Sequence, residues 1–377
     1  MVICVCFSYF RRNNYKKIKM KKNITLLFVS FFILVSCSNN EDSPIAPPTA
    51  PVTIKAALNG GGVDVSWSVV GGTGVTYNVY RNGNPVKINA VPLTEAKFKD
   101  VLTSTGSFTY TVTANSGGVE SAKGVVSEKV ILELPKTRTV ELFNTIENTK
   151  SEYTYTYDAT NITKIISQTI KSTTTRLDDE TVTVYDAIAK YTYNEDLITK
   201  VTYYNVDNTV KSSFEYVYNS KKDLISMIRK ESDGSIDYTI NYAYGTDGLI
   251  TETSDYPDWG TWVYTYEKGN MVKYVHSVSF SFDPSTKLVE TSDFVYDTKN
   301  IPTKNILGFN TILIGTNSVN NEAGFSVIVN KNGNLANTRL SKSEYTYNEN
   351  GYVLTRMRFH GKPSPTVLNE KTAITYY

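Results

Sequence analysis

The chain has 377 residues, with 39 Lys plus Arg against 37 Asp plus Glu, a formal charge of +2 with His neutral. Seven of those cations (Arg11, Arg12, Lys16, Lys17, Lys19, Lys21 and Lys22) lie in the first 37 positions, so the rest carries 39 − 7 = 32 against 37, about −5. No basic stripe is left for a nucleic-acid partner, and the only cysteines, Cys4, Cys6 and Cys37, leave neither a disulfide nor a thiolate metal site beyond position 37.

The chain opens on an export signal. Residues 24–35, ITLLFVSFFILV, are an apolar run well short of the roughly 20 residues that span a bilayer as a helix. Lys21 and Lys22 precede it and small or polar residues follow. That is the basic, apolar and cleavage pattern of a secretory signal. Met20 makes a complete start for it; residues 1–19 are either an over-extended start or a genuine extension. The run ends LVSC at Cys37, which resembles the lipobox of bacterial lipoproteins. The resemblance implies that the Cys37 thiol is acylated and tethers the protein to a membrane. Glu41 and Asp42 follow, as in the surface-export signal of Bacteroidetes lipoproteins, which implies an outer-membrane, surface-exposed location. Residues 38–50 are polar and Pro-rich, a semi-extended spacer.

Residues 51–134 come next. Short alternating runs (VDVSWSVV, VTYNVYRNGNPV, FTYTVTA) are separated by GGTG and NSGG, which predicts a small antiparallel sandwich. Trp67, residues 75–83 and residues 108–114 resemble the second-strand tryptophan, third strand and sixth strand of a fibronectin type III domain. Phe108 stands where that family has its corner tyrosine.

From residue 140 to 377 a repeat takes over: YTYDATNITKI at Tyr155, YTYNEDLITKV at Tyr191, YVYNSKKDLISMI at Tyr216 and YAYGTDGLITE at Tyr242. It continues with YTYEKGNMVKY at Tyr264, FVYDTKNIPTK at Phe294 and YTYNENGYVLT at Tyr345. Tyr-x-Tyr puts two rings on one face of a strand. The Asn, Asp and Gly that follow suit a tight turn, and the next run alternates again. Each copy is therefore a β-hairpin with a short loop, its tyrosine hydroxyls expected wet at the rim of a half-buried face. The fold class is all-β: a small sandwich followed by an antiparallel hairpin-repeat sheet, which could be open, curved or closed. The gap between Phe294 and Tyr345 implies longer strands or an insertion around residues 307–337. The pattern resembles the YD repeats of Rhs-like proteins, and more closely the short secreted Bacteroidetes domains with degenerate YD-type hairpins.

The search for chemistry is negative. No catalytic constellation, cofactor motif or metal-ligand spacing occurs. His276 and His360 lie in strand-like runs, and Asp178, Asp179 and Glu180 read as a solvated hairpin tip. Hydrolysis of a glycoside would need two carboxylates about 5–10 Å apart in a cleft. One stretch stands out, SDYPDWGTWVYTY at residues 254–266. Trp259 and Trp262 flank a turn beside Tyr256, with carboxylates at Asp255 and Asp258. Indole faces pack on sugar C–H groups and carboxylates accept sugar hydroxyls, so Trp259, Tyr256, Asp258 and Trp262 are the candidate ligand residues. Trp262 shares a face with Tyr264 and Tyr266, which favours structure; Trp259, in the turn, is the better ligand candidate. The expected function is non-enzymatic capture of a glycan or polymer at the cell surface. The alternative is a structural or protein-interaction lipoprotein with no small ligand.

Overall fold

The computed structural model describes residues 45–377. The signal, Cys37 and the first part of the spacer lie outside the described residues.

Eight short strands come first: β1 (Lys55–Leu58), β2 (Val63–Ser66), β3 (Thr76–Arg81), β4 (Lys97–Asp100), β5 (Gly106–Phe108), β6 (Tyr110–Ser116), β7 (Val119–Glu120) and β8 (Val130–Leu132). They form sheets of order β1-β2-β4 and β3-β6-β7 and the pair β5-β8. Strand alternation sends Val63, Val65, Val79, Tyr110 and Val112 into a shared core with Trp67. Trp67 meets Tyr77 edge-on at 5.4 Å. The hydroxyl at this end of the chain comes from Tyr110, which is fully buried and donates to Asp100, itself paired with Arg81.

Sixteen strands follow: β9 (Pro135–Phe143), β10 (Glu147–Tyr157), β11 (Ile165–Arg176), β12 (Val182–Asn194), β13 (Leu197–Tyr204), β14 (Val210–Tyr218), β15 (Leu224–Glu231) and β16 (Ile236–Tyr244). Then come β17 (Ile250–Ser254), β18 (Thr261–Glu267), β19 (Asn270–Phe280), β20 (Asp283–Asn300), β21 (Asn320–Lys331), β22 (Asn334–Tyr347), β23 (Val353–Gly361) and β24 (Val367–Tyr376). Each pairs antiparallel with the next, and β24 pairs with β9, so the hairpin repeat closes into a barrel rather than remaining a sheet with edges. Residues 301–319 are the long connection; with the register of β20 to β22 they account for the wide spacing seen in the sequence.

Register fixes which side chains face the lumen. Tyr155, Tyr157, Tyr191, Tyr242 and Tyr264 point in and are buried or nearly so. On the outward positions stand Lys150, Glu152, Lys171, Lys190, Lys342, Glu344 and Lys371. Ion pairs run along this outer wall, Lys150–Glu152 at 2.7 Å and Lys200–Glu215 at 3.0 Å among them. A barrel that crosses a bilayer instead carries an outward apolar band, where one Lys or Arg near the midplane costs about 2–4 kcal/mol. Charged side chains on this wall interrupt any such band.

The tyrosine hydroxyls depart from the sequence expectation. In every copy but the one ending at Tyr244 a register shift precedes the second aromatic position, at Tyr157, Tyr193, Tyr218, Tyr266, Tyr296 and Tyr347. The bulge turns the strand end inward, and several hydroxyls at these strand ends reach a carbonyl on the preceding hairpin instead of water, while Tyr193, Tyr266 and Tyr347 donate to Leu307, Asn317 and Asp297. Tyr218 donates to the Ile198 carbonyl at 2.7 Å, Tyr244 to Leu224 at 2.9 Å, Tyr296 to Met271 at 2.6 Å and Tyr376 to Val353 at 2.8 Å. Tyr157 does the same to Pro135 at 2.9 Å, which ties the first hairpin to the strand that enters the barrel.

The end of the barrel carrying these tyrosines is closed. Phe309 and Ile312 of the long connection pack on Tyr191, Ala189, Ile198 and Val201 inside the lumen. Leu102, Leu132 and Leu134 of the N-terminal strands share one hydrophobic core with Tyr155, Tyr157, Ile165 and Ile306. At the opposite mouth the hairpin loops are short, two to six residues each.

Candidate functional site

The open lumen is lined by rings. Trp262 of β18 opposes His276 of β19, and the two stack at 3.8 Å with planes 10° apart. Tyr274 stands 5.1 Å from Trp262. Phe294 follows at 5.8 Å, Phe325 a further 5.5 Å on, and His360 5.7 Å beyond. All six project inward from β18 to β23 and all are half-buried, so this lane of aromatic faces is reached by solvent from within. The lane exists because adjacent strands set lumen-facing positions side by side.

It ends at charge. Arg358 lies over the Phe325 ring at 5.7 Å. Its guanidinium pairs with Glu322 at 2.6 Å and with Glu370 at 3.6 Å, and Glu370 also pairs with Arg356. Thr372 donates to Glu370 at 2.9 Å. Burial raises the Glu322 carboxyl above its usual value despite Arg358 and Arg356. Burial would raise Glu370 too, but Arg356 and Arg358 outweigh it and hold that carboxyl low. His360 is held below its ordinary value by burial and then by Arg358 and Arg339. Glu322, Arg356, Arg358 and Thr372 border a cavity of about 510 Å³ between the wall and the long connection. A second cavity of about 620 Å³ lies where the N-terminal strands meet the barrel, among backbone-rich loops with Lys129 and Lys304 as its charged groups.

The residues singled out in the sequence fall at the open mouth. Trp259 turns inward and is half-buried, stacked over Tyr238 at 6.0 Å. Its indole N–H donates to Glu252 at 2.9 Å, and Tyr264 donates to the other oxygen at 3.0 Å. Burial raises the Glu252 carboxyl, partly offset by those two donors. Tyr256 is 47% exposed at the rim and meets Tyr238 and Trp259 edge-on. Asp258 has φ 58° and accepts from the Ser281 backbone N–H at 2.6 Å, which fastens its turn to the next loop. Asp255 accepts from the Thr239 N–H at 2.6 Å. One oxygen of each carboxylate is taken by a backbone N–H, and the second Asp258 oxygen accepts from the Ser281 hydroxyl at 3.1 Å. Trp262, read as structural, is part of the lane, and its N–H is buried without a partner. Among the described residues no three His, Cys, Asp or Glu converge as a metal site.

The sequence pointed to the Trp259 turn but not to His276, Phe294, Phe325, Arg356 or Arg358. Only cross-strand register joins them, over more than ninety residues of chain between Trp262 and Arg358.

No family model and no curated protein matches the chain. Among solved structures, a porin-like protein from Bacteroides uniformis ATCC 8492 is similar over 64% of this chain and 96% of its own, at 10% identity and TM-score 0.33. One from Bacteroides vulgatus ATCC 8482 is similar over 65% and 99%, at 10% identity and TM-score 0.32. A Bacillus licheniformis rhamnogalacturonan lyase covers 86% of this chain and 67% of its own, at 14% identity and TM-score 0.18. With likeness this low, what those proteins do is not transferred to this chain.

Proposed function

We propose that the protein is a lipid-anchored, surface-exposed lipoprotein of the outer membrane that captures a glycan in the lumen of a water-facing barrel. One observation carries the reading. An unbroken lane of half-buried aromatic faces lines an open lumen and ends on guanidinium and carboxylate groups. Rings supply area for sugar C–H faces, and a few charged groups fix orientation. Cys37 supplies the anchor and the spacer holds the barrel off the membrane, so no wall residue needs to meet lipid.

A glycan array probed with the full chain, Trp262→Ala and Trp259→Ala tests this. Specific hits lost in Trp262→Ala, with the melting temperature nearly kept, support lumenal capture. Because Trp259 satisfies buried Glu252, its alanine variant is expected to lose stability as well as binding. A blank array from folded protein ends the reading and leaves the structural or protein-interaction role. Acyl labelling that persists in Cys37→Ser would sink the anchor.

A second reading has one observation in its favour. Glu322 and Glu370 are paired carboxylates with opposite shifts, the acid and base arrangement of a glycoside hydrolase. Against it, the Arg358 guanidinium occupies the space between them and engages both. Hydrolysis of any array hit, abolished in Glu322→Gln, would favour it.

A further inference from the structure

The cavity at the inner end of the lane holds a guanidinium that the fold leaves uncompensated. Arg138 projects into the lumen from β9, opposite Ile374 of β24, and is half-buried. Arg356 and Arg358 have carboxylate partners; Arg138 forms no ion pair among the described residues and lies over the Tyr153 ring at 5.8 Å. The Nε–H groups of all three arginines are buried without an acceptor. Three guanidiniums against Glu322 and Glu370 leave one positive charge in excess around a cavity of about 510 Å³, within the range of small-molecule sites.

Such an arrangement is costly empty. A buried N–H without an acceptor costs about 1–3 kcal/mol, and a half-buried cation without a counter-charge adds to that. A structural ion-pair network needs no third arginine, and a site for a neutral sugar would gain from hydroxyl acceptors rather than from a guanidinium without a carboxylate partner. Guanidinium forks match planar carboxylates. Arg356 and Arg358, their side chains 18% and 20% exposed, are reached from the lumen. Arg138 stands two strands away, about 10 Å across the wall.

We propose that this cavity binds the carboxylate of an acidic sugar residue, with Arg138 as its principal counter-charge and the aromatic lane holding the neighbouring rings. The assignment rests on the lumenal-capture reading and narrows it to uronic-acid glycans.

Isothermal titration of the full chain decides, with an oligouronate, its methyl-esterified form and a neutral oligosaccharide of equal length as probes. The acid form is expected to bind best, and raising NaCl from about 0.05 to about 0.5 M should weaken it, since screening shortens as ionic strength rises. Arg138→Gln is expected to weaken it by about tenfold or more, the size of one charge-assisted bond. Equal binding of acid and ester, insensitive to salt and to Arg138→Gln, overturns the acidic assignment and leaves lumenal capture standing. No binding of any probe by folded protein overturns both. Should Arg138→Gln fold poorly, the acid-to-ester ratio and salt response of the unaltered protein decide alone.

Discussion

Glu252 shows how a single buried carboxyl sets a local stability trade. Its two oxygens accept from Trp259 and Tyr264, yet burial holds the group above its ordinary value. The folded state therefore binds this proton more tightly than the unfolded chain does. The resulting stabilisation is complete below the unfolded-state value and is lost as pH rises through the folded-state value. Glu252→Gln keeps an acceptor without the charge. It is expected to match or exceed the unaltered protein in melting temperature near about pH 7, with the advantage fading toward about pH 4. Glu252→Ala orphans two donors and should cost about 1–3 kcal/mol. Glu370→Ala is expected to be worse, about 3–5 kcal/mol by urea denaturation, because Arg356 and Arg358 lose their shared counter-charge.

Among the elements, the long connection at residues 301–319 depends most on backbone geometry. Gly315 has φ 84°, and a Cβ there would stand 2.8 Å from the Tyr264 ring. Gly315→Ala is thus both strained and blocked, and should lower the melting temperature while loosening the packing of Ile312 and Phe309. Slower exchange of the Leu313-to-Thr316 amides in the variant than in the unaltered protein would contradict this. The hairpins themselves were legible: Tyr-x-Tyr has the strand period, and Asn, Asp and Gly mark the turn. The hydroxyl clasps were not, since the acceptor of Tyr218 is a carbonyl twenty residues back, and no local pattern marks a carbonyl as available. Tyr218→Phe should cost about 1 kcal/mol. The lane was hidden for the same reason, because Trp262 meets His276 only once β18 and β19 are in register.

Taken whole, the described chain is built around a core that the N-terminal strands and the barrel share. Leu102, Leu132 and Leu134 pack with Tyr155, Tyr157 and Ile165, and Glu133 accepts from Asn348 and Asn350 at a far hairpin tip. Two-module sequence boundaries hide that continuity, because the joining residues look like ordinary core positions of either part. Calorimetry is expected to give one cooperative transition for residues 45–377. Two well-separated transitions would mean the shared core contributes little. Removal of residues 45–134 should expose Tyr155, Tyr157 and Ile165 and lower the barrel's melting temperature.

The seam between β9 and β24 joins the first and last strands of the barrel, with Thr137 and Thr375 hydrogen-bonded across it at 2.7 Å and Tyr377 donating to Tyr155 at 2.9 Å. Until β24 arrives, every earlier hairpin can pair with its neighbour, yet the sheet keeps two unpaired edges. Such edges recruit other chains, and the contact that removes them spans more than two hundred residues, the slowest kind to form. Assembly therefore works as a zipper whose last tooth hides all the others. A chain clipped within its final strand would keep most of its hairpins and lose its protection, so proteolysis at that terminus should show first as self-association rather than as unfolding.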